Sequence, residues 1–182
     1  MRFKRAGSVR QDVLPSFYVI LHSFFGPQKW WQSKTPFEVI VGGILTQATS
    51  WSNVEKAIKQ LKKRKVLSVK KMRGLALDRL ARSIRSAGYY RIKAKRLKAF
   101  LNYLCRRHSG SLQKMGSVDT ERLRMELLDV HGIGPETADS ILLYAFNRPV
   151  FVVDAYTKRI LLRHRLIPED AGYAQIQNLF RK

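Results

Sequence analysis

The segment best suited to chemistry is Leu127-Leu128-Asp129-Val130-His131-Gly132-Ile133-Gly134-Pro135-Glu136-Thr137-Ala138-Asp139. A helical stretch ends at Gly132-Ile133-Gly134, and Pro135 opens a new helix at its first position, where a missing N–H costs nothing. Two glycines two residues apart let the backbone turn sharply and approach a ligand closely. The amides of such a turn and of the next helix's first turn point outward without internal partners, which makes an anion site fitted to a phosphate. A lone Gly-x-Gly is equally an ordinary interhelical turn, so its meaning depends on the rest of the chain. Beyond it, Asp154 precedes Ala-Tyr-Thr-Lys-Arg, a sequence in which an aspartate caps a helix.

Other chemistries are excluded by what is missing. Cys105 is the only cysteine among 182 residues, so one chain forms no disulfide framework, four-cysteine zinc site or four-cysteine iron–sulfur cluster. His22, His108, His131 and His164 stand at no metal-ligand spacing, against a zinc deaminase or a histidine-caged nuclease. The longest strongly apolar run, Val39–Leu45, is far short of the ~20 residues of a membrane span. The basic start Met1-Arg-Phe-Lys-Arg is followed by no apolar stretch and cleavage site, so a cytoplasmic protein is expected.

The elements that must position these residues are helical nearly throughout. Phe37, Ile40, Val41, Ile44 and Leu45 fall on one helical face. Thr35-Pro36-Phe37-Glu38 places threonine at the N-cap, proline at N1 and glutamate at N3, a capping box. The stripe repeats in Val54, Ala57, Ile58, Leu61, in Leu77, Leu80, Ala81, Ile84, in Leu97, Phe100, Leu101, Leu104, and in Ala138, Ile141, Leu142, Ala145, Phe146. Val150–Val153 is β-branched and aromatic but short, and it reads as an extended connector.

Charge supplies the partner. Lys and Arg number 35 against 13 Asp and Glu, a formal net charge of +22, which points to a polyanion and first to nucleic acid. The cations come in two acid-free runs, residues 56–73 and residues 91–107. Exposed helices usually mix signs for i,i+4 pairing, so both runs read as a field aimed at phosphate. In that setting the phosphate reading of the glycine turn gains ground.

The run Val130-His-Gly-Ile-Gly-Pro-Glu-Thr-Ala resembles the helix-hairpin-helix of the endonuclease III superfamily of DNA glycosylases. The likeness continues to Phe151-Val-Val-Asp154, and upstream through Pro36-Phe37-Glu38, Leu45-Thr46-Gln47-Ala48-Thr49 and Gly88-Tyr89-Tyr90 with Lys93 and Lys95. It runs in order from about Val13 to Leu162. The resemblance implies an all-α fold of two helical lobes flanking a DNA-binding groove. It divides the chain into residues 1–35, packing with a C-terminal lobe, a multi-helix lobe 36–148 that holds the hairpin, and the lobe 149–182. It implies a base-flipping enzyme acting on double-stranded DNA with damaged bases. Asp154 is then the catalytic carboxylate, stabilising positive charge on the sugar and aligning water. Gln47 fills the gap left by the flipped base, and Val130, Gly132, Ile133, Gly134 and Thr137 grip the backbone.

Departures from the family pattern narrow the activity. Where bifunctional members carry a Schiff-base lysine this chain has Glu136, which implies a monofunctional enzyme that uses water. Where the adenine-mismatch branch has a catalytic glutamate this chain has Gly42, which disfavours that branch. Phe25-Gly26-Pro27-Gln28-Lys29-Trp30-Trp31 and Leu45-Thr46-Gln47 with Trp51 are similar to the 3-methyladenine glycosylase branch. Trp30, Trp31, Trp51 and Glu136 are accordingly expected to line the base pocket, the tryptophans stacking on a cationic alkylated purine; core packing is the competing role for one of Trp30 and Trp31. Many relatives continue into a further helix and a four-cysteine cluster loop, so the stop at Lys182 marks either a short, cluster-less member or a truncated chain. No cofactor is expected beyond a monovalent cation or phosphate at the hairpin, and the protein is expected to act as a monomer. Two other readings stand beside this one: a glycosylase for oxidised pyrimidines or another lesion, and a hairpin protein that binds DNA without catalysis. Pure binding has no use for Asp154.

Overall fold

The computed structural model describes residues 13–28, 31, 33 and 35–180. The chain forms two compact units, one of Ser33–Val152, the other joining the described residues up to position 32 with those from Val153 onward. Among the described residues every regular element is helical, so the all-α expectation holds.

The larger unit is organised around α2 (Pro36–Thr46), which packs on α3 (Trp51–Lys63), α6 (Tyr90–His108) and α9 (Pro135–Ser140). Its start follows the sequence: the Thr35 hydroxyl accepts from the Glu38 amide at 3.2 Å. The other half of the capping box does not form. The Glu38 carboxylate turns to Lys62 of α3 at 2.6 Å instead, because α3 supplies a charged partner where the reciprocal cap would supply only an amide. The one-sided stripe is also corrected, since every residue from Phe37 to Leu45 is buried and α2 is the central helix of its unit.

Around α2, the stripes of α3 and α6 are buried as their spacing requires, with Val54, Leu61, Phe100 and Leu104 sealed from solvent. Leu77–Ser83 forms α5, and residues 85–87 make a 3₁₀ turn before α6. Val69–Gly74 (α4), Leu112–Gly116 (α7) and Thr120–Leu128 (α8) complete this unit. The stripe after Pro135 does not continue as a plain α-helix: α9 passes into a π turn over Ile141–Ala145, capped by Phe146 and followed by Asn147 at φ 53°. Two polar ties hold α8. Arg124 forks onto the fully buried Asp139 carboxylate at 2.6 and 3.1 Å, clamping the helices on either side of the hairpin. Glu126 accepts from the Tyr103 hydroxyl at 2.9 Å and lies 3.1 Å from the His108 ring nitrogen, tying α8 to the end of α6.

The smaller unit contains α1 (Val13–Phe25), α10 (Ala155–Arg163) and α11 (Tyr173–Leu179). Leu161, Ile167, Ala171 and Ile176 are buried, and the Phe17 and His164 rings meet edge-on at 4.9 Å. No helix among the described residues is long and apolar enough to cross a membrane.

Candidate functional site

The hairpin joins α8 to α9, and its two glycines serve different purposes. Gly132 has φ +86°, a left-handed conformation that favours glycine, and a Cβ there would lie 2.6 Å from Cδ and 2.7 Å from Nε of Arg96. Gly134 has an ordinary φ of −96° and nothing within 4 Å of a Cβ position, so its missing side chain leaves open space instead of permitting a turn. The flanking Val130 and Ile133 are buried and anchor the turn, which closes through the Ile133 amide on the Val130 carbonyl at 3.0 Å. Gly134 caps α9 without a side chain, leaving the helix start unblocked toward an anion.

Gln47, at the end of α2, is turned onto this hairpin. Its amide nitrogen donates to the Gly132 carbonyl at 2.9 Å and to the Thr137 hydroxyl at 3.0 Å. Its amide oxygen accepts from the Arg96 guanidinium. The structure therefore brings Gln47 against Gly132 and Thr137, which lie 85 and 90 residues further along the sequence. The Gln47 side chain is engaged with the protein, so filling a gap in DNA would require it to release these bonds.

Lys93 and Arg96 belong by sequence to a basic run that reads as aimed at phosphate, and the structure corrects that reading for both. Lys93 is 1% exposed and donates to the Leu45 carbonyl at 2.9 Å and the Ala87 carbonyl at 2.7 Å, fixing the last turn of α2 just before Gln47. Desolvation by burial, and then the Arg96 charge, hold its ammonium below the usual lysine range. The signal was present in the spacing, because Lys93 sits on the same helical stripe as Leu97, Phe100 and Leu104. A further exposed residue is Tyr89, an aromatic held at φ 42° directly after Gly88 at φ 67°. Gly88 in turn lies beside Thr49 of the Gln47 loop.

Trp51 opens α3 and packs its half-buried ring against the core of the larger unit. Glu136 is exposed on the first turn of α9. Trp31 is half-buried and belongs to the smaller unit, and Trp30 lies outside the described residues.

Asp154, also of the smaller unit, caps α10. Its Oδ1 accepts from the Thr157 amide at 2.7 Å and the Thr157 hydroxyl at 2.8 Å. Those bonds fix the carboxylate by one oxygen and leave Oδ2 uncommitted among the described residues. A half-buried carboxylate held in this way can stabilise a nearby positive charge and accept a proton from water.

The profile of the HhH-GPD superfamily of base excision DNA repair proteins matches residues 41–182. A Methanocaldococcus jannaschii protein that carries the name of a DNA repair glycosylase, MJ1434, is 46% identical over 173 residues, 94% of this chain and 78% of its own length. Endonuclease III of Thermotoga maritima is 30% identical over 125 residues, 69% of this chain, and the match spans 54% of that enzyme. Among solved structures, Helicobacter pylori 3-methyladenine DNA glycosylase (MagIII), bound to 1,N6-ethenoadenine, superposes with a TM-score of 0.78 at 30% identity, over 93% of this chain and 79% of that one. An endonuclease III–DNA complex superposes with a TM-score of 0.81 at 22% identity, over 94% of this chain and 76% of that one, which is a likeness of fold. The chain belongs to the HhH-GPD superfamily of base excision DNA repair proteins and is a DNA glycosylase.

Proposed function

We propose that this glycosylase is monofunctional and releases alkylated purines such as 3-methyladenine, leaving an unbroken strand with an abasic site. The observation that carries the reading is Glu136: the position from which a lysine amine would attack the sugar is an exposed carboxylate on the first turn of α9. A carboxylate there cannot form a Schiff base, so the bond to the base is broken with water as co-reactant. The C1′–N bond breaks with its electron pair going to the base, and an alkylated, cationic purine leaves as a neutral molecule. Oδ2 of Asp154 faces the positive charge that builds on the sugar, water adds at C1′, and its proton passes to the carboxylate. Trp51 suits the cationic base, because an electron-rich ring attracts it without needing an acid to protonate it. The 30% identity to the Helicobacter pylori 3-methyladenine glycosylase supports the same substrate class.

The test is product analysis on a duplex with one alkylated purine. Free base should appear while the strand stays whole until alkali or heat is applied, and borohydride should trap no protein on DNA. The similarity to Thermotoga maritima endonuclease III favours the alternative of an oxidised pyrimidine. Excision of thymine glycol with prompt nicking would establish that alternative and overturn the proposal.

A further inference from the structure

Arg96 stands one helical turn beyond Lys93, in a run of cations that would ordinarily be assigned to phosphate, yet it is not placed as a phosphate ligand. Its side chain is half-buried, its stem lies against Gly132, and its Nε is sealed from solvent with no hydrogen-bond partner. A buried donor left unpaired is uncommon and calls for a reason. Here the guanidinium is positioned by its bond to Gln47 and by contact with a glycine that leaves room for it, at the expense of its own Nε.

The chemistry of an amide explains what that bond accomplishes. A glutamine side chain has a donating and an accepting end of nearly equal shape, and either could face the hairpin. The hairpin offers it two oxygens, the Gly132 carbonyl and the Thr137 hydroxyl. Only the NH₂ end can donate to both, and the opposite orientation would set the amide oxygen against the Gly132 carbonyl. A guanidinium is always charged and only donates, so it selects the amide oxygen for itself and turns the NH₂ end to the hairpin. We infer that Arg96 is a positioning residue that acts through Gln47. It fixes the orientation of the amide and so holds the Gly132-Ile133-Gly134 turn in the geometry that receives a DNA phosphate. The inference rests on the hairpin's role in binding the backbone and is independent of which lesion is excised.

Binding of an undamaged duplex, measured across a range of salt concentrations, tests it. The proteins compared are wild type, Arg96→Met, Gln47→Met and the double variant. Each single variant should bind about tenfold more weakly, the scale of one lost, well-made set of hydrogen bonds. The double variant should be no worse than either single, because both remove the same strut. The slope of log K against log salt should be unchanged in Arg96→Met, since no phosphate contact is lost. A slope shallower by about one, with additive losses in the double variant, would make Arg96 a direct phosphate ligand and overturn the inference. If Arg96→Met does not fold, Gln47→Met carries the test alone: it alters a half-exposed loop residue, and wild-type affinity in it would be equally fatal. Using undamaged DNA keeps the outcomes apart. Failure to release an alkylated purine would sink the proposed activity and leave the strut standing.

Discussion

In the run from Lys56 to Arg73 all nine cations stand exposed, while in the run from Arg91 to Arg107 three of the seven, Lys93, Arg96 and Lys98, turn inward along α6. The two runs are alike in composition, and their difference lies in what each helix meets. α3 and α4 turn their basic faces to solvent, and apart from Lys62, which pairs with Glu38, and Arg64, which donates to Ser83, the exposed charge is available to a polyanion. α6 crosses the ends of other elements, where carbonyls are left without helical partners. Lys93 satisfies Leu45 and Ala87 there, and Lys98 satisfies Met72, Arg73 and Leu75 at the end of α4. An ammonium is well suited to the task, having three donors and a charge that complements a helix C-terminus. Net charge alone therefore overstates the phosphate-facing field: part of it holds the fold together.

The largest effect that could break this division is at Lys93. Lys93→Met should destabilise the protein by about 3 kcal/mol, because two buried carbonyls lose a charged donor. Chemical denaturation measures it, and a loss below 0.5 kcal/mol, the range of an exposed substitution, would return Lys93 to the surface class. Lys98→Met should cost less, about 1–2 kcal/mol, because its carbonyls are nearer to water and can be rehydrated in part.

A third test uses pH at the far end of α6. Burial pushes the Glu126 carboxyl up, but the hydrogen bonds from Tyr103 and His108 outweigh it and hold the group below the ordinary glutamate value of 4.5. The unfolded chain therefore binds that proton more readily, so Glu126 adds stability above pH 4.5 and loses it as pH falls through the lowered folded value. Glu126→Gln should cost about 1 kcal/mol near neutrality, and the gap to wild type should narrow in acid. A gap that widens in acid would reverse the sign of the shift. The smallest effect on stability belongs to the exposed run. Lys70→Glu with Lys71→Glu should change it by under about 0.5 kcal/mol while weakening duplex binding and flattening its salt dependence. Unchanged salt dependence would mean that this run serves something other than DNA.

Much of the helical scaffold was legible because it depends on local spacing. The stripes of α3 and α6, the Thr35 and Asp154 caps and the proline at the start of α9 each follow from residues within one or two turns. What was hidden depends on partners distant in sequence. Glu38 chose Lys62 over its own helix start, and α2 was buried on all sides because α3, α6, α9 and the π turn surround it. The resemblance marked Gln47 for a gap in DNA, but nothing near it in sequence showed that its amide is held by the hairpin 85 residues away. Gly132 and Gly134 looked interchangeable in the motif, and the left-handed φ of +86° with Arg96 packed beneath at Gly132, against an ordinary φ of −96° and open space at Gly134, tells them apart.

Asp154, proposed as the carboxylate that works on the sugar, permits an unusually clean substitution. Asparagine caps a helix about as well as aspartate, so Asp154→Asn should keep the bond to Thr157 and the start of α10 while removing the charge. Single-turnover excision of an alkylated purine, with binding to the same duplex measured in parallel, separates the two roles. The prediction is binding within a few-fold of wild type and excision slowed by about a hundredfold or more. Excision at a near-normal rate by Asp154→Asn would contradict the account and leave Asp154 as a helix cap alone.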